Sequence, residues 1–578
     1  MVCVVIAAGF AAPSSGAAFT SRGLWLLAGG DARPWPALQV SDGRFYDYVS
    51  GAADGAGRYG ESMLGYGLLQ SGIRLGRDGY VSAGLRAISY PVLRPWLERQ
   101  DPSVFESFAL AAAYNLARSR LSTDRRFRML RGPWEARLRD ERAICLDPKA
   151  RCPQNKQVVE AAAVLELVRS GLSSRRPGTW LSQRRAALGK ARWLVHHTVP
   201  DSSAAVGLGR EDSLVLSDQP VEPLAYHALA LGFYARCLKL LGRQASGRSW
   251  RTLEAAARAS WLLAAPDGEL SYVGRSQEQS WTFPLTVYGL EVAAERSSQR
   301  WRRRFAALAQ VAISRLRQAY PLTAQGLLIV PALAQGLVRW YPGMDSYAAA
   351  RPYNGLTIVA LNLAAAQGAL RPPRPTPAAA MDASLLRASS GDMAIVRTDR
   401  LWYAIKRQQS SFDLRDDFGL VALELRAGSR WRQAMPLRPR ASGESAGPVL
   451  ISAGQTYSPS AQRIVLGGDG DVQLVGGGFG AIRKTDFHLQ ATSCGVVLRF
   501  AAAPGDLYRY SAFYPAASHP KQASLTSVTG GWETVTVNSP ITLHLQTGYS
   551  SATEQHLDRA EVTFTAPPSQ QVAITVCG

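Results

Sequence analysis

The residues best suited to chemistry lie at one predicted helix start, within the segment 212–241. An acid, Glu222, and a proline precede Tyr226 and His227, and proline fits the first helical position because its missing N–H would be unpaired there. Apolar residues and Tyr234 follow at three- and four-residue steps, which predicts one face of a long helix. A tyrosine and a histidine beside a carboxylate suggest proton transfer on a large polar substrate. The alternative is a pair of buried structural side chains with satisfied hydrogen bonds.

Other polar and aromatic residues are candidates for contact with the same substrate. Asn155 precedes a predicted helix and either caps it or binds substrate. The polar loop that ends in Trp281 suits stacking on a sugar ring, and a solvated loop without a ligand is the alternative. Tyr353 and Asn354 are alternatively helix caps, and His488 is alternatively a structural strand residue. The candidate substrate-binding residues are Glu222, Tyr234, Gln277, Gln279, Trp281, Tyr353, Asn354 and His488.

The elements that must position these residues are helical between about residues 60 and 370. Apolar segments alternate there with polar turns that contain Pro or Gly, and several segments end in a glycine (Gly171, Gly242, Gly368), a common helix stop. Antiparallel helices of this number and length form a bundle, a solenoid or an α/α toroid. The clearest predicted helices are 104–120, 156–172, 224–242, 251–265, 281–296, 301–319 and 353–367.

The hydrophobic period changes from 3.6 to 2 after the proline-rich segment 368–380, whose prolines exclude both helix and sheet interior. Short alternating runs separated by Gly, Asp, Ser and Pro turns then continue to the end of the sequence and predict stacked antiparallel sheets. The predicted divisions are a leader at 1–25, a helical domain at 26–367, the linker, and a β-sandwich domain at 381–578.

The global composition favours an anionic partner. The 578 residues carry a formal net charge of +21 with a pI near 10, and the arginines are spread along the chain, which predicts a surface or cleft with a positive field. Zinc-finger spacing, RNA-binding signatures and basic-region heptads are lacking, so nucleic acid is the weaker choice. A GC-rich genome would also enrich Arg and Ala. The sequence has no run of eighteen apolar residues, so no membrane span is predicted.

The cysteines and the first residues indicate export. The start of the sequence has a short apolar core followed by small residues, like a signal peptide without the usual positive region. Cys145 and Cys152 bracket a short loop, and Cys494 and Cys577 both fall in the β region, so two disulfides are predicted in an oxidising compartment. Cys237 is predicted to be a buried free thiol. We expect a secreted or envelope-associated monomer without cofactor or metal.

The layout and several short motifs resemble polysaccharide lyases. The segment SDQPVEPLAYH at 217–227 resembles the heparinase II/III and alginate lyase group, in which a polar turn with an acid precedes a helix start that contains Tyr. The segment 155–172 resembles the upstream helix of that group, whose Asn binds the substrate carboxylate, and 401–428 resembles the opening strands of its β-domain. An Asn-Asn-His triplet around Asn155 and the His-containing segment usual in the β-domain of heparinase-type enzymes are lacking.

A second lyase group offers a competing template for the same cleft. The pair His227 and Tyr234 is similar to the His-then-Tyr helix of hyaluronan and chondroitin lyases, and Arg275 is similar to the arginine of their later loop. Both resemblances imply an N-terminal α/α toroid followed by a C-terminal antiparallel β-sandwich. They also imply β-elimination on an acidic polysaccharide, with Asn155, Tyr226, His227 and Arg275 as the catalytic residues.

The chemistry explains these residue types. Elimination across C4–C5 of a uronate removes a weakly acidic proton next to a carboxylate, so Asn or Arg must neutralise that group and stabilise the developing enolate. A tyrosine can move the proton when nearby positive charge lowers its ordinary pKa of about 10, and a neighbouring histidine is the usual partner.

Two other classes of protein remain open. A glycoside hydrolase on a similar toroid needs two carboxylates, for which Glu222 with Asp218 or Glu278 are the nearest candidates. A polysaccharide-binding protein without activity would keep the scaffold alone.

Overall fold

The computed structural model describes the helical region and the β region with gaps between them and within each. The described residues are 20–47, 59–93, 103–146, 152–202, 204–206, 213–216, 224–270, 272–273, 279–319, 327–328, 350–368, 370, 382–386, 393–409, 417–428, 430–435, 445–468, 470–531, 533–549 and 557–578.

Amphipathic and fully apolar helices occupy the first part of the chain, where the 3.6-residue period predicts them. The predicted helix 104–120 matches the structure at both ends, and the others match to within a few residues. Gly171, Gly242 and Gly368 follow or end helices with φ of +73°, +55° and +53°, as expected for helix stops. The helices are α1 Ser21–Ala32, α2 Gly60–Leu75, α3 Asp78–Leu93, α4 Val104–Arg120, α5 Arg125–Arg139, α6 Gln154–Arg169, α7 Arg184–Trp193, α8 Val199–Ser202, α9 Leu224–Leu241, α10 Gly247–Leu263, α11 Thr282–Ala294, α12 Gln299–Ala319 and α13 Ala350–Gln367.

Six of these helices form a closed inner ring. Helix α2 packs on α4, α4 on α6, α6 on α9, α9 on α11, α11 on α13, and α13 returns to α2. Helices such as α3, α7, α10 and α12 lie outside this ring against their sequence neighbours. The inner helices are buried over most of their length, which explains why their sequences are apolar on nearly every face. The arrangement is an α/α toroid.

Short strands form the C-terminal region and one hairpin of the helical region. The strands are β1 Ala204–Val206, β2 Ser213–Val215, β3 Asp382–Leu386, β4 Met393–Arg397, β5 Leu401–Lys406, β6 Gly419–Ala427, β7 Arg430–Gln433, β8 Val449–Ser452, β9 Gln455–Tyr457, β10 Arg463–Leu466, β11 Val472–Val475, β12 Gly478–Phe479, β13 Arg483–Lys484, β14 Phe487–Ala491, β15 Gly495–Ala501, β16 Leu507–Pro515, β17 Lys521–Ser524, β18 Ser527–Gly530, β19 Glu533–Val537, β20 Ile541–Tyr549, β21 Leu557–Thr565 and β22 Gln571–Cys577.

Three antiparallel sheets share the β region. Their strand orders are β2-β1-β3-β4-β5-β6-β7, β10-β11-β14-β15-β22-β19-β18-β17 and β20-β21-β16-β8-β9, with β12-β13 as a separate pair. The hairpin β1–β2 comes from the helical region and adds two strands to the first sheet. This extension was not predicted, because its strands of three residues are too short to show a period.

The first sheet is covered on both faces. Along β4, Ala394 and Val396 point into the core shared by the three sheets. Met393 and Ile395 alternate with them and pack instead against the end of α10, where Leu263 lies, and against the start of α9. Both faces of this strand are therefore apolar, and the sheet joins the sandwich to the toroid. The predicted C-terminal antiparallel β-sandwich is confirmed.

The two predicted disulfides are present. Cys145 and Cys152 have Cα atoms 5.3 Å apart, and Cys494 and Cys577 have Cα atoms 4.9 Å apart. Cys237 is a buried free thiol, as predicted. Among the described helices, none is long and apolar enough to cross a membrane.

Candidate active site

The N-terminal ends of the inner helices meet at one end of the toroid. Tyr59, just before α2, stacks on Phe105 at the start of α4 with ring centroids 4.7 Å apart. Tyr226 and Trp281, at the starts of α9 and α11, have ring centroids 6.2 Å apart. The hydroxyl of Ser280, just before α11, lies 2.8 Å from the hydroxyl of Thr357 on α13. The positive ends of parallel helix dipoles therefore face one space, which favours anions there.

Tyr226 is the side chain near the start of α9 that reaches this space. From Leu224 to Ala235 each of the other residues is buried, whereas Tyr226 is partly exposed. Its ring packs on the main helical core. This position leaves the tyrosine ring held by packing and partly exposed.

Trp281 lies beside Tyr226 and is 2% exposed. Its indole N–H has no hydrogen-bond acceptor among the described residues. Gln279 is also buried, and its carbonyl accepts the N–H of Thr282 at 3.0 Å. The residues between Gly274 and Glu278, which include the predicted Arg275 and Gln277, lie outside the described residues.

Asn155 is the second residue of α6, next to α9 in the ring. Because α6 begins at Gln154 with Pro153 as its N-cap residue, the alternative that Asn155 caps this helix is wrong. Its side-chain oxygen accepts the N–H of Lys156 at 2.6 Å. The side chain is 2% exposed, and no acceptor for its Nδ2 lies among the described residues. An amide donor is therefore left for a ligand.

Glu160, on α6, holds a loop segment that precedes this helix in the chain. Its carboxylate accepts the N–H groups of Ile144 at 2.7 Å and Cys145 at 2.6 Å, and also that of Leu146. Burial raises the pKa of Glu160, and these backbone hydrogen bonds oppose that rise. The acid thus attaches the loop with the first disulfide to the start of α6.

An ion pair lies deeper in the ring. The buried carboxylate of Glu166 pairs with the guanidinium of Arg236 and accepts a hydrogen bond from Nδ2 of Asn115 at 2.8 Å. Burial raises the pKa of the nearby Tyr66 and Tyr288 hydroxyls. These contacts hold α4, α6 and α9 together, and the arginine neutralises the acid beneath the cleft.

His227 and Tyr234 have structural contacts. Nδ1 of His227 accepts the N–H of Leu216 at 3.0 Å, and Nε2 lies 3.1 Å from the Ser260 hydroxyl. Burial lowers the pKa of His227 to about 4, so the ring is neutral at pH 7. The hydroxyl of Tyr234 is buried and donates to the carbonyl of Val195 at 2.9 Å. These contacts occupy the polar atoms needed for the catalytic role suggested for His227 and the binding role suggested for Tyr234.

The remaining candidates are dispersed. Tyr353 is partly exposed on α13, whereas Asn354 is buried and links the helix to Leu328, whose N–H its oxygen accepts at 3.1 Å. Because α13 begins at Ala350, neither residue caps it. His488 is exposed on the outer face of the eight-stranded sheet. Glu222, Asp218 and Glu278 lie outside the described residues.

The sequence reasoning missed Glu160, Glu166 and the Tyr59–Phe105 stack. The two acids interrupt the apolar run of α6, and a carboxylate in such a run is a usable signal, because buried acids need partners. The aromatic stack joins residues of different helices, so sequence spacing does not indicate it.

The arrangement offers amide and aromatic groups at a positive end of the toroid. Within the described residues, no group of three or more His, Cys, Asp or Glu side chains could hold a metal ion. The groups present can bind an anion, stack on a sugar ring and move a proton at a tyrosine hydroxyl.

Comparison with solved structures identifies the fold. The chain is similar to a chondroitin AC lyase of Streptomyces coelicolor A3, with a TM-score of 0.52 and 12% identity over 96% of this chain and 79% of that chain. It is also similar to an α-1,6-mannanase of Salegentibacter sp. HEL1_6, with a TM-score of 0.40 and 12% identity over 59% of this chain and 99% of that chain. A cellobiose 2-epimerase of Bacillus thermoamylovorans B4167 has a TM-score of 0.39 and 11% identity, also over 59% and 99%.

The first of these similarities spans both regions of the chain. It confirms, at the level of the fold, the predicted likeness to polysaccharide lyases with a toroid and a β-domain. No protein-family model matches the sequence, and no curated protein matches it either.

Proposed function

We propose that this protein is a polysaccharide lyase that cleaves a uronate-containing polysaccharide by β-elimination. The reaction takes place where the inner helices of the toroid begin. The observation that carries this proposal is that a partly exposed Tyr226 and the amide of Asn155 lie near the starts of two inner helices that pack on each other. A net charge of +21 supports an anionic substrate.

Asn155 binds the uronate carboxylate in this proposal. Its Nδ2 donates to a carboxylate oxygen, which lowers the cost of negative charge as C5 loses its proton. The positive ends of the surrounding helices act in the same direction. Arg275, on the loop before α11, is proposed to neutralise the same carboxylate.

Tyr226 carries the proton. The C5–H electrons form the C4–C5 double bond, the C4–O4 bond breaks, and the proton removed from C5 or an equivalent one is delivered to the leaving oxygen. A hydroxyl group beside both atoms can perform both transfers. We propose that His227 and Tyr234 hold α9 in position and do not touch substrate, in view of their buried hydrogen bonds.

Aromatic groups complete the proposed cleft. Trp281, whose indole N–H has no acceptor among the described residues, and the stacked Tyr59 and Phe105 lie at the same end of the toroid. Sugar rings pack on aromatic faces, and an indole N–H pairs with a hydroxyl or carboxylate oxygen. We propose that Gln279 and Tyr353 border this cleft.

The two disulfides support a secreted or envelope-associated protein, since such bonds persist in oxidising compartments. We propose that the protein meets its polysaccharide outside the cell and acts as a monomer.

The product formed tests the proposal. The purified protein is incubated with a panel of uronate-containing polysaccharides, and reducing ends are measured together with the ultraviolet absorbance of a 4,5-unsaturated uronate. A lyase produces both signals in equal amounts. Reducing ends without the absorbance would replace elimination with hydrolysis, and binding without new ends would make the protein a polysaccharide-binding scaffold.

A further inference from the structure

A surface cavity lies on the β region. It is a groove of about 610 Å³, within the range of small-ligand sites. The turn between β4 and β5, with Arg400, and the β6–β7 hairpin, with Arg426 and Arg432, form one side. The other side comes from the eight-stranded sheet, at Ser493 and Cys494. We call this cavity the arginine groove.

The charge of the arginine groove is positive. Arg400, Arg426 and Arg432 are exposed and line it, and the acid in the described lining is Asp399. Three guanidinium groups against one carboxylate leave a positive local charge, and guanidinium forks match the geometry of sulfate and carboxylate groups.

Backbone contacts hold the groove in shape. Nε of Arg426 donates to the carbonyl of Gly428 at 3.1 Å, and its Nη1 donates to the carbonyl of Asp399 at 3.3 Å. The disulfide of Cys494 closes the opposite side. These contacts join the two turns and reduce the ordering needed when a ligand binds.

The lining also narrows the class of ligand. Aromatic side chains are lacking among the described lining residues, so stacked bases of a single-stranded nucleic acid have no platform there. The charged and polar side chains of the lining also argue against a lipid, whose tails bind to apolar side chains. A hydrated chain that carries regularly spaced anionic groups fits these properties.

We infer that the arginine groove is an accessory binding site for the sulfate or carboxylate groups of an acidic saccharide chain. Its described lining belongs to the β region alone, so it binds a stretch of chain outside the proposed cleft. That this chain is also the substrate rests on the proposed function, whereas anion binding in the groove does not.

The test uses a triple variant, R400Q/R426Q/R432Q, which keeps polar side chains at the three positions and removes three charges. The matched control is R463Q, because Arg463 is exposed on β10 of the same region outside the groove. Both sets are made in a Tyr226→Phe background, so that saccharide is not consumed. The probes are a sulfated and an unsulfated uronate hexasaccharide of the same backbone.

Hydrogen–deuterium exchange measures protection at the arginine groove and at the proposed cleft separately. We expect a hexasaccharide to protect the β6–β7 hairpin and residues 493–495, and the triple variant to lose this protection while R463Q keeps it. Affinity at the groove should fall about tenfold, the scale for three exposed charge contacts. If only the sulfated probe protects the hairpin, sulfate is the group recognised, and if both do, carboxylate suffices.

Three outcomes would overturn the inference. They are equal protection of the hairpin in the triple variant, protection of the α9 start alone, and equal protection by an oligonucleotide of the same charge. Failure of the proposed function is distinguishable, because a parent protein without turnover can still show groove protection. A parent with turnover and no groove protection leaves the lyase proposal standing and removes only the accessory site.

Discussion

The start of the inner helices and the junction between toroid and sandwich both contain polar groups in an apolar setting, but they treat them differently. At the helix starts, the indole N–H of Trp281 has no acceptor among the described residues, and its ring lies beside the partly exposed Tyr226. On the neighbouring α6, the side-chain oxygen of Asn155 accepts the N–H of Lys156. At the junction, Nη1 of Arg315 lies 3.0 Å from the carboxylate of Asp267, and Glu424 accepts the N–H of Asp267 at 3.1 Å. The buried indole N–H of Trp402 at the junction also lacks an acceptor among the described residues. The difference therefore lies in access, since Tyr226 is partly exposed at the helix starts, and in the ion pair of Arg315 at the junction.

The junction is also more deeply buried. Burial raises the pKa of Glu424 well above its usual range, and the neighbouring Asp267 adds to this rise. Arg397 crosses from the sheet and donates to the carbonyl of Ala264 at 2.7 Å. Charge in this region is used to dock two domains. Substitutions at the two regions should therefore separate activity from stability.

The strongest test of this difference is a pair of identical changes on one helix. Tyr226→Phe removes the proposed proton carrier, so kcat on an acidic polysaccharide should fall 100-fold or more, on the scale of a lost general acid or base. Its melting temperature should stay within about 1 °C, because the change keeps the ring and its packing at a partly exposed position. Steady-state kinetics and calorimetry measure the two effects.

Tyr234→Phe is the matched control. It removes a buried hydroxyl that donates to the carbonyl of Val195, so stability should fall by about 1–2 kcal/mol while kcat stays near the parent value. If Tyr226→Phe keeps full activity on every polysaccharide that the parent cleaves, the proposed proton carrier is wrong.

The second test concerns the spare amide. Asn155→Ala should lower kcat/KM about 100-fold, since one donor to a developing oxyanion is lost. Lys156→Ala changes the exposed neighbour on the same turn and should leave kcat/KM within about twofold, as expected for surface positions. Kinetics on both variants at equal melting temperature decide the point, and equal losses in both would contradict a specific role for Asn155.

The contrast also shows what the sequence can and cannot predict. Periodicity predicted α4 and α9 and the change to strands after the linker, because each element repeats its pattern over many residues. It did not separate Tyr226 from its neighbour His227. The contacts that fix His227 come from residues 11 and 33 positions away, at Leu216 and Ser260. Such partners are known only once the helices are packed.

The candidate cleft shows the same limit. The sequence supplied Asn155 and Tyr226 from resemblance and residue type. The ring of helices, which brings their N-terminal ends together, depends on the packing of α6 on α9 and not on a local pattern. Glu160 was missed because its partners are backbone N–H groups 14 to 16 residues earlier.

The third test asks whether His227 has a structural role and no catalytic one. His227→Ala should lower the free energy of unfolding by about 2–3 kcal/mol, from lost packing and an unpaired Leu216 N–H, with kcat unchanged. The folded ring has a pKa of about 4 against an ordinary 6.5. The unfolded chain therefore binds the extra proton between these values, and parental stability should fall as the pH drops from 6.5 to 4 by up to about 3 kcal/mol.

Denaturant titrations at several pH values measure this contribution as the difference between parent and variant. The variant lacks the group, so the difference in stability between the two proteins should narrow toward pH 4. A His227→Ala protein with parental stability and strongly reduced kcat would instead return this residue to the catalytic group.

The smallest expected effect lies at the junction, where Glu424→Gln replaces a buried acid with its neutral analogue. The folded pKa of Glu424 is raised above its ordinary 4.5. The folded state therefore keeps a proton that the unfolded chain releases, and this group makes stability fall as the pH rises above 4.5. At pH 8 the free energy of unfolding of the glutamine variant should exceed that of the parent by about 1 kcal/mol or more, and near pH 4 the two should be equal. The kcat of the variant should match that of the parent at both pH values. Melting curves across this range give the sign directly. A variant that is less stable at pH 8 would mean that Glu424 is ionised and paired with Arg315. The junction would then stabilise a negative charge, as we propose for the helix starts.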